Sequence, residues 1–243
     1  GVPGAVNYEQ GITYNLTNVA GWGNVPLRSI LTEKTGLPAV VENDANCMAY
    51  AEFIHGAGQG FENVVCVTLG TGVGGGLILN GDLFRGSQFA AGEIGQMSVC
   101  YRGVEGPYGN TGALERYIGN NQIGELGKKM FSEAGLDAPD DLMPEQIANL
   151  AKEGHEVANQ VWQQVATYLG SCLMSNIFLL NPDAIVIGGG VADAGELLFN
   201  PLNDYLKNSL TPECFDHLQI KKAQFGNTAG IIGCSALASQ LGE

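Results

Sequence analysis

Positive charge is what this sequence has least of. Lysine and arginine number 11 against 25 aspartates and glutamates, a formal net charge of −14, and the basic residues form no cluster. A phosphate backbone would be repelled, so nucleic-acid binding by this chain is not expected. An anionic ligand such as a nucleotide would rely on backbone N–H groups, helix N-termini and Mg²⁺. No apolar run is long enough to cross a membrane and no signal peptide is read, so no membrane association and a cytoplasmic location are expected. The six cysteines (Cys47, Cys66, Cys100, Cys172, Cys214, Cys234) include no CxxC pair. Most lie in apolar runs such as "VVCVTLG" and "LGSCLMS", where buried reduced thiols are expected. His55, His155 and His217 have no acidic or cysteine neighbours at ligand spacing, which leaves surface or capping roles. Walker A and G-x-S-x-G sequences are missing. "NLT" at Asn15 is a glycosylation sequon in spelling only.

Glycine, by contrast, is abundant. The 36 glycines fall in short runs without a fixed period, which reads as turns and ligand loops. "GLPAVVENDANCMAYAEFIHGAG" predicts a buried strand at Ala39–Val41, a turn, and a helix from about Ala45 to Ile54 closed by Gly56. "ENVVCVTLGTGVGGGLILNGDLFRG" predicts a strand, a glycine turn, a second strand, a tight turn at Asn80-Gly81 and a short third strand. Helices are expected from about Ala113 to Ala134, with a break near Gly124–Gly127, and again after Pro144. Val157, Val161, Val165, Leu169 and Leu173 form a core-facing helical stripe. "DAIVIGGGVADAGELLFNPLNDYL" predicts strand, glycine turn and helix; "LQIKKAQF" a last strand; "TAGIIGCSALASQL" a closing helix. Strands and helices alternate without a repeat, so the fold class is α/β, with a division near residue 60. The opening "GVPGAV" reads as the interior of a domain, and the chain is expected to be a fragment.

Three stretches point to ligand chemistry. "GTGVGG" (Gly70–Gly75) spells G-x-G-x-x-G, but a hairpin-like "LILNGDLF" follows where a dinucleotide site needs a helix. Five glycines in the seven residues Gly70–Gly76 exceed what a hairpin needs, which favours contact between Gly70, Thr71 and Gly72 and a phosphate. "IGGG", with Gly188, Gly189 and Gly190, admits two readings: close approach of a nucleotide, or close helix–strand packing. "ENDAN" sets Asn43 and Asp44 at a strand-to-helix junction, where either residue can cap the helix. A carboxylate there is equally placed to accept a hydroxyl proton during phosphoryl transfer. Finally, "GEIGQMSVCYRGVEGPYGNTGALERY" carries Glu93, Glu105 and Glu115 on a glycine-rich stretch unfit to fill a core, and reads as a ligand-holding loop.

In this order, "GVPGAV", "GLPAVVENDANCMAYAE", "GTGVGGGLILNGDLFRG", "AGEIGQM" and "NPDAIVIGGGV" resemble the ROK family of bacterial sugar kinases and sugar-responsive repressors. The resemblance implies an actin-like (ribonuclease H-like) ATPase fold, two α/β lobes closing over ATP and a hexose, commonly as a homodimer. It implies an incomplete N-terminal lobe at residues 1–60, joined by the closing helix 228–243, and a C-terminal lobe at 61–227. Asp44 matches the family's catalytic base, and Asn43, Glu93 and Glu115 its sugar ligands. Gly4, in "GVPG", matches a loop near the sugar. Gly70, Thr71 and Gly72 match a phosphate loop, and Gly188, Gly189 and Gly190 the adenosine motif. ATP with Mg²⁺ is the implied co-substrate.

Two departures qualify these implications. No Asp-x-Gly-Gly-Thr phosphate hairpin occurs, so the chain as it stands is expected not to turn over. The family's zinc-ligand positions are Gln96, Gly106, Tyr108 and Ala113 here, and no structural zinc is expected. The loop is expected to be held instead by packing of Pro107 and Tyr108 and by turn hydrogen bonds from Asn110. An ATP-dependent hexose kinase is the leading expectation. The effector domain of a repressor and a sugar-binding protein without turnover are the alternatives.

Overall fold

The computed structural model describes residues 1–14, 16 and 19–242, so Asn15 and Thr17 of the sequon lie outside the described residues. A short hairpin of β1 (Val6–Asn7) and β2 (Ile12–Thr13) precedes α1 (Leu27–Thr35) and α2 (Asp44–His55). Three strands follow, β3 (Val64–Leu69), β4 (Val73–Leu79) and β5 (Asp82–Phe84). Then come α3 (Glu115–Ile118), α4 (Asn120–Glu133), α5 (Pro144–Lys152), α6 (Glu156–Leu180) and β6 (Ala184–Gly188). The chain continues through α7 (Glu196–Ser209), α8 (Pro212–Phe215), β7 (Gln219–Lys222) and α9 (Ala229–Ser239). The five long-range strands form one sheet in the order β5-β4-β3-β6-β7. β4 runs antiparallel to both neighbours, whereas β3, β6 and β7 are mutually parallel.

Both faces of this sheet are covered, which explains why its central strands are apolar without interruption. Side chains alternate along a strand. Val65, Val67, Leu69, Ile185 and Ile187 accordingly join the cluster under α4 to α7. Val64, Cys66, Ala184 and Val186 face the other way and join Cys47, Ala49 and Leu237 of α2 and α9. The tight turn after β4 forms as expected, with Asn80 at φ 54° and Gly81 at φ 82°. Along α6, Val161, Val165, Leu169 and Leu173 are buried, and Val157 is half-buried. α2 and α9 pack on the sheet face formed by Val64, Cys66, Ala184 and Val186.

Two expectations on local structure fail. Ala39–Val41 is not a strand; the pairing nearby is the isolated parallel bridge Val2↔Asn43, in which Val2 N donates to Glu42 O and Asp44 N to Val2 O, each at 2.9 Å. Of the three residues, only Val41 is buried, and the single bridge at Val2 does not extend into a ladder. The helix break lies at Gly119 (φ −70°, ψ 162°) and not at Gly124–Gly127. Those two glycines let α4 lie against its neighbours: a Cβ on Gly124 would stand 2.3 Å from Leu142 O, and one on Gly127 2.8 Å from Ile147 Cδ1.

Candidate functional site

The start of α2 is shaped by hydrogen bonds. Asn43 is its N-cap: Oδ1 accepts from Asn46 N at 3.1 Å, and Nδ2 donates to Gly4 O at 3.1 Å. Of the two capping candidates Asn43 takes the role, which leaves Asp44 on the wall of a cavity of about 320 Å³. Its Oδ1 accepts from Ala45 N at 2.9 Å. Burial pushes the Asp44 carboxyl above the ordinary value of 3.8, and the Ala45 N–H opposes the rise.

Glu93 reaches the same cavity because its loop lies directly on β4. A Cβ on Gly75 would stand 2.5 Å from Gly92 O, and one on Gly92 (φ 87°) 2.9 Å from Gly75 O. Burial raises the Glu93 carboxyl above 4.5, and the charges of Glu115 and Asp44 raise it further, so the three acids share one electrostatic neighbourhood. Glu115 opens α3 and is held at both oxygens: Oε2 accepts from Val73 N at 3.0 Å, and Oε1 from Gln96 Nε2 at 3.4 Å. Gly4, Asn43, Asp44, Glu93, Gln96, Tyr108 and Glu115 therefore meet around one cavity, including every acid of the expected sugar set.

The loop 92–117 is braced at its neck. Asn110 Nδ2 donates to Gln96 O at 3.1 Å, Ser98 Oγ to Thr111 O at 2.7 Å, and Val104 N to Tyr117 OH at 3.0 Å. Bridges Ser98↔Ala113 and Glu105↔Thr111 close the neck. Asn110 plays its expected part, but the packing expected of Pro107 and Tyr108 is absent. Pro107 is exposed and Tyr108 is 79% exposed, because a loop closed across its neck leaves its tip in solvent. A zinc ion does not fit: of Gln96, Gly106, Tyr108 and Ala113 none is a zinc-ligand type. Among the described residues no group of three or more His, Cys, Asp or Glu is arranged to hold a metal.

A second cavity, about 590 Å³, opens between α5, α6 and the turn after β6, with Asn120, Lys152, Trp162, Gly190 and Asp193 on its walls. Trp162 is 1% exposed and its Nε1–H has no hydrogen-bond partner among the described residues. The two readings of "IGGG" divide residue by residue. Gly189 (φ 84°) is a packing glycine, since its Cβ would stand 2.2 Å from Leu69 O, and one on Gly188 would stand 2.9 Å from Ala223 Cβ. Gly190 has nothing within 4 Å of its Cβ position and lines the cavity.

The Gly70–Gly72 turn lies between the two cavities. Gly70 O accepts from Asn120 N at 2.8 Å on one side, and a Cβ on Gly72 would stand 2.3 Å from Glu115 Oε2 on the other. Thr71 is exposed at its tip. Antiparallel pairing of β3 with β4 rules out the strand–turn–helix geometry of a dinucleotide site. The glycines beyond the turn serve packing as well: a Cβ on Gly76 would stand 2.5 Å from Ala49 Cβ. Glycine excess alone therefore did not require a phosphate.

Sequence reasoning missed Glu42 and Arg85, a 2.6 Å ion pair behind Asn43, and Gln96 as the holder of Glu115. Glu42 had a signal, since one helix cap does not require a Glu-Asn-Asp run. Trp162 and Lys152 had none. His155 caps α6, Nδ1 accepting from Ala158 N at 3.5 Å, as expected of a capping histidine.

Comparison with known proteins gives consistent results. The family model described as ROK family matches residues 1–241. A glucokinase of Halalkalibacterium halodurans is 35% identical, over 99% of this chain and 75% of its own length. A ROK family glucokinase from Streptomyces griseus, solved with glucose and AMPPNP, superposes with a TM-score of 0.86 at 33% identity, covering 99% of this chain and 80% of that one. A ROK family transcriptional regulator, a homolog of the E. coli MLC protein, superposes with a TM-score of 0.88 at 28% identity, covering 98% of this chain and 61% of that one. The fold is thus the α/β, actin-like ATPase fold of ROK glucokinases.

Proposed function

We propose that this chain, which belongs to the ROK family, is the ligand-holding body of an ATP-dependent hexose kinase in which Asp44 is the general base. The carrying observation is the convergence of Asp44, Glu93, Glu115 and Asn43 on one cavity, divided from a second cavity by a glycine turn. A hexose is neutral and presents several hydroxyl donors, and three acceptor carboxylates match it. A site so built rejects analogues that lack the hydroxyls. Asp44, its carboxyl raised in pKa by burial and so a better proton acceptor when ionised, takes the proton of the attacking hydroxyl as the phosphoryl group is transferred. Asn43, fixed by its cap and by Gly4 O, orients the same hydroxyl region.

The second cavity suits a nucleoside: Gly190 leaves room for close approach, and Met143, Pro144, Ala148 and Ala194 give it an apolar wall. Gly70 N donates to Gly72 O at 2.9 Å and closes the turn, which leaves the N–H groups of Thr71 and Gly72 as the donors for phosphates joining the two ligands. Mg²⁺ accompanies the nucleotide and neutralises phosphate charge, and no residue of this chain is assigned to it. Functionally, residues 1–60 with 228–243 carry the base side and residues 61–227 the nucleotide and acid-loop side. No helix among the described residues is long and apolar enough to cross a membrane. A cytoplasmic homodimer, without nucleic-acid contact by this chain, completes the proposal.

One specific observation favours a second reading. A ROK family transcriptional regulator superposes on this chain with a TM-score of 0.88, which supports a regulator's effector body as that reading. A repressor has no need of a base at position 44 or of a phosphate turn, and this chain has both candidates. The chain contains no Asp-x-Gly-Gly-Thr hairpin, and the kinase reading is proposed for the protein that holds this body together with one. A coupled assay of that protein with a hexose panel tests the reading. Asp44→Asn is expected to lower kcat by about a thousandfold with sugar affinity kept. Unchanged turnover would remove Asp44 from the reaction.

A further inference from the structure

Resting on that functional reading, we propose that Arg85 is a positioning residue. Acting through the buried carboxylate of Glu42, it sets the Asn43–Asp44 corner against the loop that carries Glu93. Glu42 is 4% exposed. Its Oε1 accepts from Asn43 N and from Asn46 Nδ2, each at 2.9 Å, and its Oε2 accepts from Arg85 Nε at 2.6 Å. The backbone of the capping residue thus hangs from a carboxylate whose charge Arg85 neutralises. Arg85 directly follows β5, where Nη1 donates to Leu83 O at 3.3 Å. Its own carbonyl accepts from Ala91 N at 3.0 Å, closing the loop that leads into Gly92 and Glu93. The guanidinium also stacks 3.8 Å over the Tyr8 ring beside β1. One residue therefore joins the base corner, the acid loop and the N-terminal hairpin.

Stability alone does not account for this arrangement. A buried ion pair seldom stabilises a fold more than an apolar pair of equal volume, because both charges lose their hydration. Placement does account for it: a ligand bridging Asp44 and Glu93 tolerates little displacement of either, and misplacement by about 1 Å can cost a hundredfold in rate. A planar fork that pairs and stacks at once also resists replacement by lysine.

The test is the double variant Glu42→Gln/Arg85→Met, which keeps volume and the Oε1 acceptor but removes both charges. Its melting temperature is expected to stay within about 3 °C of wild type, no buried charge being left unpaired. Glucose affinity, by calorimetry on the chain, is expected to fall about tenfold or more. Hydrogen exchange at residues 43–45 and 92–94 is expected to quicken, with β3 and β6 unchanged. Wild-type glucose affinity in the double variant would overturn the proposal, since stability and placement would then be one property. If the double variant does not fold, Arg85→Lys decides: a several-fold loss of affinity supports positioning, and none overturns it. If wild type takes up no member of the hexose panel, the functional reading falls, and exchange at the two segments decides the positioning role alone.

Discussion

The two cavities are built by opposite means. The acid-lined cavity is assembled from short, widely separated stretches near residues 4, 44, 75, 93, 108 and 115, held together by hydrogen bonds from Asn43 to Gly4 and from Gln96 and Val73 to Glu115. The larger cavity is walled by helices whose buried faces belong to the main core, with Trp162 reaching from that core to the wall. A polyol must be read hydroxyl by hydroxyl, which requires several independently placed acceptors. A nucleoside offers a broad apolar surface that packed helices match, plus few polar atoms. Glu115 is where the two constructions meet, because the carboxylate that lines the first cavity also fastens Val73 at the turn facing the second.

That meeting point supplies the largest expected effect on affinity. Glu115→Ala removes the proposed sugar contact and the acceptor of Val73 N together. Glucose affinity is expected to fall about a hundredfold and AMPPNP affinity several-fold, both read by calorimetry. Loss of glucose affinity alone would mean that the turn does not couple the cavities. Next in size, Gly190→Val fills open space at an unstrained backbone position. AMPPNP affinity is expected to fall about tenfold while glucose affinity and melting temperature hold. An equal loss of both ligands would break the separation.

The pH dependence is smaller and has one sign. Asp44 and Glu93 are both raised above their ordinary values of 3.8 and 4.5. The folded chain therefore holds their protons more firmly than the unfolded one. The stability they contribute is complete below those values and is lost as pH rises through the raised ones. Glu93→Gln is thus expected to raise the melting temperature near pH 7 by about 1–3 °C, a modest gain because the side chain is partly solvated, with the gain vanishing by about pH 4. Melts at the two pH values check this. Smallest of all, metal analysis is expected to find well under one zinc per chain, and chelator treatment to leave the melting temperature unmoved. Stoichiometric zinc would contradict the Gln96–Asn110 brace.

Legibility divides along the same line as the cavities. The main sheet could be read because β3 and β6 are continuous apolar runs and Asn80-Gly81 has one favoured geometry. Apolar character misled at Ala39–Val41, where Val41 is buried without a ladder. Glycine misled at Gly124 and Gly127, which serve contact with Leu142 and Ile147 and leave the helix intact. Asn43, Asp44, Glu93 and Glu115 were legible because motifs surround them. Arg85 and Gln96 were not, since their partners lie 43 and 19 residues away and only the fold brings them close. The helix-walled cavity was legible only at Gly190, since its other residues belong to core stripes that look alike wherever they occur.

The central claim, that the three carboxylates form a sugar site, is tested most directly by titrating glucose into this chain and into its Glu93→Ala variant. Saturable uptake of one glucose per chain, weakened about tenfold or more by the substitution, is the predicted result. No uptake by the wild-type chain, or uptake indifferent to Glu93→Ala, would contradict it.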